Sequence, residues 1–375
     1  MNFSYWELKE WFTNVDFTIV GSGIVGLNCA LTLKKKHPTA TILVLEKGML
    51  PQGASSKNAG FACFGSLSEI IDDFNTHTEE EVFDLVKKRW DGLQLLRKNL
   101  GEKKIDYQQN KGFELFKDEG LFYECLSRKN EINSLLKPIF KEAVFKVDVN
   151  FFNFQKIHQN YITNQFEGQI DTGKMMAQLL LKAQKAGIKI LNNIAVEQFS
   201  ENTDSVLVKT NQITFTTNKL FIATNGFAKE LLEENVQPAR AQVIITEPIK
   251  NLHIKGTFHL EKGYYYFRNI DNRILFGGGR NLDFKGEETT EFGQTVIIQN
   301  QLKTILQETI LPNTKFEIEH TWSGIMGVGN QKKAIVKQIS TNVFCGVRLG
   351  GMGVAIGSLV GKELAEKTIK IDTIN

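Results

Sequence analysis

The sequence predicts an α/β protein in which a helix-covered parallel sheet is interrupted twice by a second, antiparallel-sheet domain. Three observations carry that prediction. An apolar run at 16–20 leads through a glycine-rich turn into a helical pattern and a second apolar run at 41–46. That order is a parallel strand–helix–strand unit with a right-handed crossover. Another α/β stretch opens at 168, and the chain closes similarly, with VFCGV running into the turn LGGMGVAIGS and a last helical pattern. Between about 238 and 280 the pattern is all strand instead.

Taken in order, residues 4–12 read as a short amphipathic helix on the surface. Asp16–Val20 is a buried strand, Ile24–Lys36 a helix and Thr41–Glu46 the next strand. Lys34, Lys35 and Lys36 close the helix, where cations complement its dipole. Helical patterns follow at 79–100 and 119–137, then aromatic strand-like segments to about 165. Asp171 or Thr172 caps a helix ending at Gly187, and Ile188–Leu191 continues as a strand. Residues 194–224 form a small antiparallel ribbon that returns to the sheet at KLFIATNG. GYYYFRNIDNRILFGGG reads as a hairpin turned at Asp271-Asn272, and a helix near 287–310 follows. Strands then run to 347, before the last helix.

Composition narrows the function. The 375 residues are 42% hydrophobic and 23% charged, an ordinary globular balance with enough chain for two cores. A net charge of +3 gives no footprint for nucleic acid. Cys29, Cys63, Cys125 and Cys345 stand far apart without a CxxC pair. They read as reduced core thiols rather than a zinc site or a disulfide framework. The opening MNFSYWELKEWF is charged and lacks a long apolar stretch, and no run reaches the length of a membrane span. The expectation is a cytoplasmic protein without a metal, a membrane span or a nucleic-acid partner.

GSGIVG at 21–26 gains meaning from its context: a strand before it, a helix after it, and Glu46 at the end of the next strand. Gly21 allows the tight turn, Gly23 lets a pyrophosphate approach, and Gly26 lets helix and strand pack closely. Ser22, Ile24 and Val25 lie between these glycines, and the phosphates sit on the helix N-terminus. Glu46, followed by Lys47, can accept hydrogen bonds from a ribose diol and would repel a 2′-phosphate. The unit is Rossmann-like and binds a dinucleotide.

Four further stretches, GASSKNAGF (53–61), KLFIATNGFA (219–228), TWSGIMG (321–327) and RLGGMGVAIGSLVG (348–361), complete a set that runs end to end along the chain. In this order the chain resembles the D-amino-acid oxidase-like superfamily of FAD-dependent oxidoreductases, which includes glycine, sarcosine and gamma-glutamylputrescine oxidases. The resemblance implies non-covalent FAD. It places Ser55, Ser56, Lys57, Asn58, Ala59 and Gly60 along the pyrophosphate–ribityl part of the cofactor. Lys57 stands where the family usually has Arg, keeping the charge without the fork. The resemblance also assigns cofactor contacts to Val196, Ala223, Thr224, Asn225 and Gly226, and to Trp322 and Gly324. At the last turn, Leu349, Gly350, Gly351, Met352, Gly353 and Val354 would place a helix N-terminus at the flavin's pyrimidine edge. No acidic strand end follows that turn, so both glycine turns hold one FAD.

The implied division is 1–85, 166–235 and 319–375 for the FAD-binding domain, and 86–165 and 236–318 for the substrate domain. The implied activity is oxidation of a C–N bond in a small amine or amino-acid derivative, with oxygen or a carrier as electron acceptor. Alternatives are an alcohol or hydroxyacid dehydrogenase, or a flavoprotein acting on a modified tRNA side chain. Met326 replaces the carboxylate-clamping Arg frequent after W-x-G-[LI], and Met352 the His that sarcosine oxidase-like members often carry. That favours an amine of the gamma-glutamylputrescine type, unless Arg348, Arg268 or Arg280 supplies a relocated anchor. In a strand at 264–268, Tyr264, Tyr266 and Arg268 share one face and Tyr265 and Phe267 the other. Either one set faces the substrate pocket, or the run is an aromatic surface packing on helices. Tyr266, Arg268, Met326 and Arg348 are the substrate-side candidates, and the six histidines read as structural or surface groups.

Overall fold

The computed structural model describes residues 2–368. Val15–Val20 and Ile42–Leu45 are apolar almost throughout, as strands covered on both faces must be. In the first sheet Lys189–Leu191, Ile42–Leu45, Val15–Val20, Thr214–Ile222 and Val343–Val347 lie side by side in that order, all parallel. Ile335–Gln338 closes one edge antiparallel to Val343–Val347. Strands added in sequence move outward on one side of Val15–Val20 and then, from Thr214–Ile222 onward, on the other. That reversal opens a crevice beyond the strands' carboxyl ends, where ligands of such sheets bind. The expected ribbon is present, Val196–Glu201 pairing with Val206–Thr210 and the latter with Thr214–Ile222.

Close backbone contact locks the first and last glycine turns together. The helices that follow them, Ile24–Lys36 and Gly353–Glu366, cross where a Cβ on Gly357 would lie 2.6 Å from the Ile24 side chain. One on Gly361 would lie 2.5 Å from the Val25 carbonyl oxygen. The helix Glu79–Leu100 approaches the last helix as closely, since a Cβ on Gly92 would meet Ala355 O. Larger side chains would push both helix N-termini away from the crevice between them.

The second sheet runs Ile318–Val328, Gln237–Thr246, Arg273–Gly278, Tyr265–Ile270, Thr257–Leu260, Gly112–Leu115, Asn160–Asn164 and Phe145–Val149. It is antiparallel except where Thr257–Leu260 runs parallel to Gly112–Leu115. The hairpin turns at Asp271 (φ 48°) and Asn272 (φ 58°), the paired left-handed residues of a type I′ turn. Many of the 27 phenylalanines fill this domain, with Phe258 and Phe267 stacked 4.4 Å apart at its centre. The strand Ile318–Val328 extends this sheet past the expected division at 318/319.

Three element boundaries differ from the sequence reading. The helix expected at 119–137 continues through Pro138 to Phe140, whose ring packs 4.7 Å from Phe64 and 4.8 Å from Trp90. Burying that ring offsets the hydrogen bond lost at proline. The helix expected near 287–310 starts only at Val296 and ends in a wider turn, Leu306–Ile310. Glu287 is drawn into the sheet instead, accepting from Arg240 at 2.8 and 2.9 Å and from Gln242 at 3.0 Å. At the other end of the chain, Tyr5–Glu7 is helical and Leu8–Phe12 continues as a wider turn. No described helix is long and apolar enough to cross a membrane.

Candidate active site

A cavity of about 450 Å³ runs from the first glycine turn, through the 53–63 loop, to the face of the second sheet. Gly21, Gly23, Ile24 and Val25 line its nucleotide end with Glu46 and Lys47. Gly21 has φ 102°, and a Cβ there would stand 2.8 Å from Ala223 O, so only glycine fits the turn. Gly23, at the N-cap, has no side chain to cap this helix, and the Ser55 hydroxyl from the 53–63 loop accepts from Ile24 N–H at 2.9 Å instead. Glu46 is buried and held by the Ser22 hydroxyl at 2.7 Å, the Ser22 N–H at 3.2 Å and the Gly48 N–H at 3.1 Å. Ser22 therefore positions the carboxylate and does not line the cavity. Gly26 is likewise a packing residue, set against Gly21 O.

At the last turn Leu349, Gly350, Gly351, Met352, Gly353 and Val354 all line the same cavity. The helix starting at Gly353 also lacks a side-chain cap, leaving its first N–H groups directed at the crevice. Two helix N-termini whose own N-cap residues make no side-chain bond thus open on one cavity, joined by the 53–63 loop. Of that loop Ser55, Lys57, Asn58 and Ala59 line the cavity, while Ser56 turns back to Pro51 O and Gly60 packs under Ile170. Trp322 lies outside as well and fastens the loop by donating to Lys57 O at 2.9 Å. Val196, Ala223, Thr224, Asn225 and Gly324 are in the wall, whereas Gly226 is packed against the Met326 carbonyl. Two glycine turns that present backbone to one cavity, with a carboxylate at one end, suit an elongated dinucleotide such as FAD.

The substrate end corrects the sequence reading. Tyr264 and Tyr266 face the cavity, and Tyr265 and Phe267 fill the second core, so the strand's alternation sorts them as expected. Arg268 does not reach the cavity. It is buried behind Gly60, its Nε has no acceptor among the described residues, and burial lowers its pKa to about 10. Arg348 is also excluded as an anchor: its Nε donates to Lys333 O at 3.0 Å and its Nη1 to Asn235 O at 3.2 Å. It secures the segment linking the two sheets. Met326 does line the cavity, with its sulfur 3.5 Å from where a Gly351 Cβ would stand.

Arg280 lines the wall instead, over the Phe284 ring at 4.8 Å, with no hydrogen-bond or ion-pair partner among the described residues. Burial lowers its pKa. Sequence reasoning missed His259 and Cys63, which also reach the cavity. His259 lies opposite Tyr266 in the strand register, so Tyr266 pointed to it once the pairing was known. Burial opposes a charge on His259, but the Glu167 carboxylate 2.5 Å away outweighs it and raises the pKa to about 9. Tyr266 is pushed up to about 12 by burial, and burial, then Glu167, raises the Cys63 thiol well above its ordinary value.

The sequence profile described as FAD dependent oxidoreductase (DAO) matches residues 16–367. A probable oxidoreductase OrdL of Haemophilus influenzae is 21% identical over 96% of this chain and 84% of its own length. Gamma-glutamylputrescine oxidoreductase of Escherichia coli is 23% identical, over 94% of this chain and 83% of its own. The crystal structure of glycine oxidase from Geobacillus kaustophilus superposes with a TM-score of 0.77 at 17% identity, covering 95% of this chain and 94% of that one. With the profile spanning nearly the whole chain and the cavity fitting the cofactor, the chain belongs to the DAO family of FAD-dependent oxidoreductases and is an enzyme whose cofactor is FAD.

Proposed function

We propose that this enzyme oxidises a carbon–nitrogen bond in a small amine or amino-acid derivative, and that Arg280 holds an anionic group of the substrate. The observation that carries the reading is the cavity-lining guanidinium of Arg280, which has no partner among the described residues. A partly desolvated guanidinium gains most from a carboxylate or another planar anion. The names of the relatives, a gamma-glutamylputrescine oxidoreductase and a glycine oxidase, support amine oxidation.

In this reading, Gly21, Gly23 and Val25 present backbone to the pyrophosphate, Glu46 holds the adenosine ribose, and Gly353 and Val354 face the flavin. FAD, bound without a covalent link, supplies a hydride acceptor. Tyr266, protonated across the neutral range, and the Met326 thioether form the wall that orients the reacting carbon. The oxidised product is an imine, which water hydrolyses. Oxygen or an electron carrier takes the electrons onward.

Anaerobic reduction of the bound flavin across a panel of amines, amino acids and hydroxyacids tests this. Bleaching by amines that carry a carboxylate is expected. Bleaching by hydroxyacids alone would overturn the assignment to amines. Acid precipitation should release all flavin into the supernatant.

A further inference from the structure

His259 and Glu167 form a buried pair that the FAD site does not use. His259 sits on Thr257–Leu260, in register with Glu114 on one side and Tyr266 on the other. Its ring stands edge-on to Phe61, with centroids 5.3 Å apart, and lines the cavity. Nε2 faces Glu167 Oε1 at 2.5 Å, and Glu167, fully buried, also accepts from the Thr257 hydroxyl at 2.8 Å. Nδ1 has no hydrogen-bond partner among the described residues.

We propose that His259 is an anion-binding residue of the active-site cavity, held by Glu167 so that its Nδ1–H donates to a carboxylate of the substrate. This deepens the proposed function, because it adds to Arg280 a second cationic donor at the face of the second sheet, besides the lysines Lys47, Lys57, Lys262 and Lys332 of the lining. The substrate class that satisfies both is an amine carrying two acidic groups. A buried carboxylate whose main partner is one imidazole fixes which ring nitrogen is occupied and leaves the other to the cavity. Burial works against the charged ring, and Glu167, then Glu69, which also lines the cavity, and the buried Glu114 restore it up to a pKa of about 9. The other titratable groups around the ring, Tyr266 and Cys63, are neutral there, since burial raises both. Below pH 9 the ring therefore carries a proton on both nitrogens and offers Nδ1–H, with the pair net neutral; above pH 9 one ring proton is lost and the pair becomes negative.

Acetate titrated calorimetrically into the FAD-loaded Arg280→Met protein reads this donor without Arg280, with acetamide as the neutral probe. Adding His259→Asn should weaken acetate about tenfold or more and leave acetamide unchanged. In the Arg280→Met protein alone, acetate affinity should hold to about pH 8.5 and fall above pH 9. Glu167→Gln, a change at the positioning residue, should move that fall down by about one pH unit or more, toward an ordinary histidine. Equal acetate affinity with and without His259, or equal losses for acetate and acetamide, would overturn the proposal. Should His259→Asn not fold, the pH series decides: a fall that Glu167→Gln leaves in place means the pair is only structural. Failure here leaves flavin reduction by amines intact, whereas failure of the broader reading abolishes that reduction itself.

Discussion

The two ends of the cavity are made of different parts of the polypeptide. Along the cofactor side the walls are in large part backbone: Gly21, Gly23, Gly350, Gly351 and the N-termini of the two helices that follow these turns. At the substrate end they are side chains, His259, Tyr266, Arg280 and Met326, each on a separate stretch of the second sheet or its connections. A backbone surface tolerates little substitution, because any Cβ fills the space the ligand needs. A side-chain surface can be rewritten one residue at a time while the sheet beneath stays the same. In the proposed reading the first end holds the cofactor and the second selects the substrate.

Substitutions at the two ends should separate these roles. The largest effect is expected for Gly26→Val, whose side chain would run into the Gly21 carbonyl; overpacking of this kind costs about 3 kcal/mol. Thermal unfolding and FAD retention should both fall, and an unshifted melting temperature would show that the turn can relax. Glu46→Ala should weaken FAD by about 2 kcal/mol, the scale of charge-assisted hydrogen bonds, and leave the reactivity of saturated enzyme alone. Fluorescence titration of apoprotein with FAD reads this directly.

At the other end the signature inverts. Arg280→Met should lower kcat/KM for carboxylated amines by about 1.5 kcal/mol, roughly tenfold, with FAD affinity unchanged. A parallel loss of FAD would place Arg280 against the cofactor instead. Arg348→Met is expected to be smallest, with about 1 kcal/mol of stability lost along with its two carbonyl bonds and no change in kcat/KM. Steady-state kinetics beside a denaturation curve would show whether Arg348 belongs to the scaffold alone.

The same contrast explains what could be read from the chain. GSGIVG, Glu46 and the last glycine turn were readable because their spacing is local: strand, turn and helix lie within some thirty residues and each glycine has a steric reason. The I′ turn at Asp271-Asn272 and the alternation of Tyr264 to Phe267 were readable for the same reason. Arg268 and Arg348 misled, because an arginine near a motif looks the same in sequence whether it faces a ligand, is buried behind the wall or donates to a carbonyl. His259 stayed hidden since its significance depends on Glu167, ninety-two positions away, and on a strand register no local pattern records. The helix expected from 287 failed similarly, where the Arg240 and Gln242 contacts outweighed local propensity.

The parallel pairing of Gly112–Leu115 with Thr257–Leu260 also bears on how the molecule is made. On a ribosome adding about 5–20 residues per second, the strands between 112 and 164 emerge roughly 5–20 s before Thr257 does. For that interval one side of Gly112–Leu115 lacks its neighbour, while the segment 166–235 passes by to add Lys189–Leu191, Val196–Glu201, Val206–Thr210 and Thr214–Ile222 to the other sheet. An unpaired apolar strand edge is a template for other chains. Slowing translation between 164 and 257 would lengthen that exposure, and the yield of native enzyme would then depend on synthesis rate as well as on final stability.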